Sequence, residues 1–205
     1  MAKNENQQTL EAYERNIQAY VQGTPQIVDG PYREWIDAFL GSVAKDARIL
    51  EIGSAFGRDA DYIESQGYKV ERTDAAQGFV DLLQEGGHSA SLLNAINDEL
   101  GGPYDLILAN AVFLHFTIEQ TKLVVAKCHA ALMENGSLAF SVKQGEGNAW
   151  KSAKLGAPKY YQFWSKENLE AMLVEQDFQI IEIRSISGQN STKWLNVIAR
   201  VGKTS

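Results

Sequence analysis

The chain has 205 residues, enough to bury a core of its own without disulfides or a metal to staple it. Hydrophobic residues make up 44% and charged residues 22%, which excludes wholesale disorder; 19 basic against 26 acidic residues leave a net charge of −7, a balance that opposes a general binder of nucleic acids or anionic membranes. The single cysteine, Cys128, excludes an internal disulfide and a multi-cysteine zinc site, and with no His/Asp/Glu cluster at ligand spacing no metal is expected.

The polar start Met1–Gln8 lacks the apolar stretch of a secretory signal, and no run reaches the roughly 18 apolar residues of a spanning helix, so the expected address is cytoplasmic. Leu10, Tyr13, Ile17 and Tyr20 predict an amphipathic helix over 9–21, broken by Gly23-Thr24-Pro25. Pro31 suits the first turn of a second helix, whose Tyr32, Trp35, Ile36, Phe39, Leu40 and Val43 follow helical spacing. Short apolar strands then alternate with helices. Ala47–Ile52 is a strand, followed by a glycine turn and a helix over Asp59–Ser65 that stops at Gly67. Lys69–Thr73 is a strand, Gly78–Gln84 a helix, and Ala90–Ala95 and Asp105–Ala109 two further strands. Thr117 and Gln120 form a capping box that opens a helix to about Met133, and Ser137–Lys143 is the next strand. Ser165 caps a helix to about Gln176. The runs Phe178–Ile186 and Lys193–Val201 are strands joined by the loop Ser187-Gly188-Gln189-Asn190-Ser191, with no helix between them.

This order predicts an α/β fold: a doubly wound, seven-stranded, mostly parallel sheet, Rossmann-like, with helices on both faces and one antiparallel strand at its C-terminal end. Residues 1–205 form one domain, with the N-terminal helices (1–44) as a candidate lid over a core at 45–205. Residues 144–164 are an insert on the substrate side.

The sharpest local feature is Glu51-Ile52-Gly53-Ser54-Ala55-Phe56-Gly57. A buried strand ends in a glycine that permits a tight turn and close approach of a ligand, and a second glycine opens the next helix. Asp74 ends the second strand, at close to the spacing of roughly 20 residues expected of a carboxylate that meets a ribose diol. With Tyr104–Phe116 (YDLILANAVFLHF) and Glu134–Val142 (ENGSLAFSV), these stretches resemble the motifs of the class I S-adenosylmethionine-dependent methyltransferases, whose first motif runs E/D-x-G-x-G-x-G. Arg58-Asp59-Ala60 is similar to the small-molecule members. The resemblance implies a methyl transfer to a small-molecule acceptor by in-line displacement, giving S-adenosylhomocysteine. It implies cofactor contacts at Glu51, Gly53, Ser54, Ala55, Gly57, Asp59, Asp74, Ala75, Asn94, Ala95, Ala109 and Asn110. Ala55 and Phe56 depart from the glycine pattern, and Asn94 replaces the acid that many relatives hold near the adenine, although its carbonyl still accepts a hydrogen bond.

His115, near the active edge, is the candidate general base, with a structural histidine as the plain alternative. Tyr13, Tyr20, Lys143, Tyr161 and Trp164 are the candidate substrate residues: two lid tyrosines, a lysine that opens a glycine-rich loop, and two members of an aromatic cluster. Cys128 is expected to be buried and inert. The competing readings are an RNA methyltransferase acting on tRNA, which the acidic balance opposes, and a non-catalytic nucleoside-binding relative. A nicotinamide oxidoreductase would want G-x-G-x-x-G, which the turn does not supply. The expected partners are a small-molecule acceptor, no membrane and no nucleic acid, in a monomer or homodimer.

Overall fold

The computed structural model describes residues 3–188 and 192–202; Met1-Ala2 of the polar start and Gln189-Asn190-Ser191 of the expected loop lie outside them. Two short helices, α1 (Glu5–Glu14) and α2 (Ile17–Gln22), precede α3 (Gly30–Leu40). The alternation follows as β1 (Arg48–Ile52), α4 (Arg58–Ser65), β2 (Lys69–Asp74), α5 (Gln77–Glu85), β3 (Ala90–Leu92), β4 (Tyr104–Ala109), α6 (Ile118–Ala131) and β5 (Leu132–Gln144). Then come β6 (Asn148–Lys151), β7 (Lys159–Trp164), α7 (Lys166–Glu175), β8 (Phe178–Ser187) and β9 (Lys193–Val201). Among the described residues no helix is long and apolar enough to cross a membrane.

The strands β3, β2, β1, β4 and β5 pair in parallel in that order, and β9 runs antiparallel along the far edge of β5 with β8 outside it. Successive side chains point to opposite faces, so each strand feeds two cores. Leu106 and Leu108 of β4 and Ala139 of β5 meet Trp35, Ile36, Phe39 and Leu40 of α3 on one face. Ile107, Leu138 and Phe140 meet Val124, Val125 and Cys128 of α6 and Leu169 and Leu173 of α7 on the other. The indole N–H of Trp35 donates to Val197 O (3.3 Å), which ties α3 to the sheet.

Three expectations are corrected. The helix expected over 9–21 is two helices, which part at Arg15-Asn16, where the Asn16 amide donates to Ala12 O (2.8 Å) and competes with the next turn. The strand expected to reach Ala95 stops at Leu92, because Asn94 makes its own turn: its N–H donates to Asp98 and its carbonyl accepts from Ile96 N. Among the described residues the sheet has nine strands rather than seven, since the insert at 144–164 holds the hairpin β6–β7. β4 pairs with β5 only as far as Phe140, whereas β9 follows it to Lys143. β7 takes up the edge of β5 left free beyond β4, pairing Lys143 with Phe163 and Gln144 with Trp164. The hairpin therefore stands at the C-terminal end of β4, where open α/β sheets place their ligands.

Candidate functional site

A cavity opens at the C-terminal ends of β1, β2 and β4. Its floor is the turn after β1. The N–H groups of Gly53 and Ser54 both donate to Thr73 O (2.8 Å each), which folds the chain sharply away from the strand. Gly53 has φ 78°, and a Cβ there would lie 2.5 Å from Val112 Cγ2, so the turn and the β4 loop touch through the missing side chain. Ala55 takes φ 50°. Alanine thus takes a left-handed backbone at the position where the resemblance expects glycine.

Asp74 closes one side. Its Oδ2 accepts from Ala55 N and its Oδ1 from Ala76 N, both at 2.9 Å, so two backbone donors fix the carboxylate toward the cavity. Each oxygen keeps a lone pair for a further donor. Burial pushes Asp74 up to about 6, against the pull of those N–H groups. Asn94 and Ala95 line the wall beyond it, with the Asn94 amide donating to Asn6 Oδ1 (2.9 Å). Behind the cavity, Glu51 is buried with Oε2 unpartnered among the described residues, and burial, then Asp59, raises its carboxyl to about 8. An oriented carboxylate at the cavity wall and a backbone turn with no room for a Cβ fit an adenosyl group.

Asn110 supplies the β4 side. Its amide donates to Tyr32 Oη (2.7 Å) and Asp59 Oδ2 (2.8 Å), and its carbonyl accepts from Ser141 Oγ (2.6 Å). Tyr32 Oη also donates to Asp59 (2.5 Å), and Arg58 Nε holds the other carboxylate oxygen (2.7 Å). Asp59 therefore spends its acceptors inside the protein and positions Asn110.

The roof is α1 and α2, which contribute Thr9, Leu10, Tyr13 and Tyr20 to the lining. The candidate lid of residues 1–44 thus divides: α1 and α2 cover the cavity, while α3 belongs to the core. Tyr13 Oη lies 2.8 Å from His115 Nε2, and His115 Nδ1 lies 2.7 Å from Tyr160 O. A carbonyl only accepts, so Nδ1 carries the proton and Nε2 accepts from Tyr13. Burial, countered by Tyr160 O and reinforced by Lys159, Lys143 and Lys154, holds the imidazole down to about 3, hence neutral.

Of the expected cofactor residues, Gly53, Ala55, Asp74, Ala75, Asn94, Ala95 and Asn110 line the cavity, while Glu51, Ser54, Gly57, Asp59 and Ala109 stand behind it. Gly57 starts α4 at φ 90°, where a Cβ would lie 2.6 Å from the Arg72 guanidinium. Of the expected substrate residues, Tyr13 and Tyr20 line it. The Tyr161 ring packs against His115 at 4.9 Å between centres and tilted by 60°, and Lys143 Nζ sits 4.2 Å over the Tyr161 ring. Trp164 lies in the core, its N–H without a partner among the described residues. The sequence did not point to Lys159, buried against Tyr13, or to Asn6, Thr9 and Phe79; Lys159 begins the unrecognised strand β7, and a strand signal there would have turned it inward. Away from the cavity, Asp61, Glu64 and His88 gather in space, a cluster that spacing did not reveal. Arg72 already pairs with both carboxylates, at 2.8 and 2.6 Å. Cys128 is buried, and burial pushes its thiol up.

A family model described as a methyltransferase domain matches residues 26–183. The Burkholderia thailandensis 1,6-didemethyltoxoflavin N1-methyltransferase, solved with 1,6-didemethyltoxoflavin and S-adenosylhomocysteine bound, is similar with a TM-score of 0.75 at 20% identity, covering 99% of this chain and 92% of that one. The CcbJ methyltransferase of Streptomyces caelestis gives 0.73 at 14% identity over 93% and 98%. A methyltransferase dependent on S-adenosylmethionine from Methanosarcina mazei gives 0.71 at 14% over 80% and 97%. No curated protein matches the chain in sequence. At these identities the structural likeness is one of fold.

Proposed function

The chain belongs to the methyltransferase domain family, as a class I enzyme fold that uses S-adenosylmethionine, and from this we propose that it transfers the methyl group to a small-molecule acceptor. The observation that carries the proposal is the shape of the site: a cavity roofed by α1 and α2 and flanked by the hairpin β6–β7 suits a small acceptor better than a polymer. The net charge of −7 agrees with it.

S-adenosylmethionine supplies a methyl group already activated on a sulfonium, so the protein's task is alignment and the exclusion of water. Asp74 would accept the ribose hydroxyls with its remaining lone pairs, and the Gly53–Ala55 backbone, Asn94, Ala95 and Asn110 would hold the rest of the cofactor from the cavity wall. Glu51, Ser54, Gly57, Asp59 and Ala109 keep these groups in place from behind. Tyr13 and Tyr20 close the roof. A proton lost by the acceptor has a short route: to Tyr13 Oη, as Tyr13 passes its own proton to His115 Nε2. Burial disfavours the imidazolium, which makes His115 a weak base and suits an acceptor that needs little deprotonation.

The test is transfer of a labelled methyl group from S-adenosylmethionine to a panel of small molecules beside tRNA, with calorimetric binding of S-adenosylhomocysteine and NAD. The expected result is binding of S-adenosylhomocysteine alone and label in the small-molecule fraction. Label in tRNA would overturn the acceptor class, and failure to bind S-adenosylhomocysteine would leave a non-catalytic relative of the fold.

A further inference from the structure

Lys159 opens β7 and is 1% exposed. Its ammonium lies 4.7 Å from the centre of the Tyr13 ring and 5.8 Å from that of Tyr161, yet among the described residues it has neither a hydrogen-bond acceptor nor a carboxylate partner. Lysine is almost never fully buried without a partner, because removing an ammonium from water costs several kcal/mol. Contact with a tyrosine ring returns only about 1–2 kcal/mol of that.

Lys159 is not alone. Lys154 Nζ sits 4.2 Å over the Tyr20 ring, donating to Thr24 Oγ1 at 2.8 Å, and Lys143 Nζ sits 4.2 Å over Tyr161. The three are close enough to repel one another: after burial, Lys154 and Lys143 are what hold Lys159 down to about 7. Arg58 adds to the same field at Lys154. A chain with a net charge of −7 therefore builds a local cationic centre beside its cavity, walled by rings of Tyr13, Tyr20 and Tyr161, two of which line the cavity itself.

We propose that the methyl acceptor is a small planar anion, its ring held against Tyr13 and Tyr20 at the cavity wall and its charged oxygen received by Lys159, whose ammonium borders the Tyr13 ring. This rests on the methyltransferase reading and narrows its substrate class. An acceptor that arrives ionised needs no strong base, in keeping with a neutral His115 whose ring nitrogens are both engaged. The same charges exclude ammonium acceptors, which would meet three lysines and Arg58 in a poorly screened space.

The experiment uses benzoate as the anionic probe, with benzyl alcohol and benzylamine as its neutral and cationic counterparts. Each is added at pH 6, where Lys159 is charged, and at matched ionic strength to the protein saturated with S-adenosylhomocysteine, and the melting temperature is read. Benzoate is expected to raise it more than either counterpart. In Lys159→Met the apparent affinity for benzoate should fall at least tenfold, with S-adenosylhomocysteine affinity at the parent value as the check on folding, and Lys159→Arg should retain most of it. An effect of benzoate no larger than that of benzyl alcohol or benzylamine overturns the proposal, as does unchanged benzoate affinity in Lys159→Met. Failure of the parent to bind S-adenosylhomocysteine would overturn the underlying methyltransferase reading instead.

Discussion

Replacing Asp74 by asparagine tests how the cavity recognises its nucleoside. The carboxylate accepts Ala76 N on one oxygen and Ala55 N on the other, at 2.9 Å each. Asparagine keeps one of these bonds and turns an amide N–H toward the other donor. One acceptor for the ribose diol disappears with it. A hydrogen bond to a charged group is worth about 1.5–3 kcal/mol, so affinity for S-adenosylhomocysteine at pH 7.5 should fall roughly 10- to 150-fold. The pH dependence sharpens the test. Asp74 titrates at about 6, above its ordinary value of 3.8, because it is buried. Only the ionised form accepts from both hydroxyls; at pH 5 about one molecule in ten is ionised, so the parent should lose about tenfold in affinity between pH 7.5 and 5 while Asp74→Asn should not. Stability runs the other way. A carboxyl raised on folding favours the folded state below its unfolded value and loses that contribution as pH rises through 6, so the parent, unlike the variant, should lose stability across that window from this group. Calorimetric titration at both pH values, with thermal unfolding alongside, reads all of this. Parent-like affinity in the variant, or equal pH slopes, would refute the assigned role of the carboxylate.

Gly53→Ala combines a left-handed backbone with a Cβ 2.5 Å from Val112 Cγ2, and should cost about 2–4 kcal/mol, seen as a melting temperature lower by roughly 5–15 °C. Adding Val112→Ala should recover the steric part only; a Gly53→Ala variant as stable as the parent would contradict the close contact. Tyr13→Phe leaves His115 Nε2 buried without its donor, which should cost about 1–2 kcal/mol and speed the release of S-adenosylhomocysteine in a stopped-flow measurement. Unchanged stability and release would mean that the pair does not hold the roof. Lys159→Met should melt above the parent at pH 6, where the parent carries a buried charge. The gap should narrow as pH rises from about 7 toward the ordinary lysine value of 10.5, because a base depressed on folding costs most where it is forced to stay charged. A gap independent of pH would mean that the ammonium has a partner.

The parts of the site legible in the sequence are those built from local backbone chemistry. Gly53, Ala55 and Asp74 belong to one βαβ unit, so the spacing between them is the geometry. Asn110 follows a strand whose apolar run Asp105–Ala109 could be little else. The rest depends on contacts between distant segments. β7 carries Lys159-Tyr160-Tyr161-Gln162-Phe163-Trp164 with nearly every side chain buried, so it shows none of the alternation that marks a strand with one wet face. Once β7 goes unrecognised, Lys159 reads as a loop lysine and its approach to Tyr13 is invisible. The break at Asn16 was equally hidden, because the apolar spacing of Leu10, Tyr13, Ile17 and Tyr20 runs through it unaltered. Asp59 shows a subtler limit: its place in the motif was evident, but its commitment to Tyr32 and Asn110 rather than to the cavity follows from α3, which sequence spacing does not position.

The two sides of the cavity are fastened very differently. The floor hangs on β1, β2 and β4, hydrogen-bonded residue by residue to their neighbours. The roof is held down through Asn6 to Asn94, Thr9 to Tyr160 N and Tyr13 to His115, each a hydrogen bond of about 1 kcal/mol, and through the Glu14 carboxylate, which accepts from the first two amides of α5. Two of these fasten to the sheet's own loops, and the other two to His115 and the hairpin, whose hold on one another is His115 Nδ1 to Tyr160 O. The molecule thus has a built-in seam. Amide hydrogen exchange is therefore expected to be faster in α1 and α2 than in β1 and β4, and equal protection of the two sides would refute the seam.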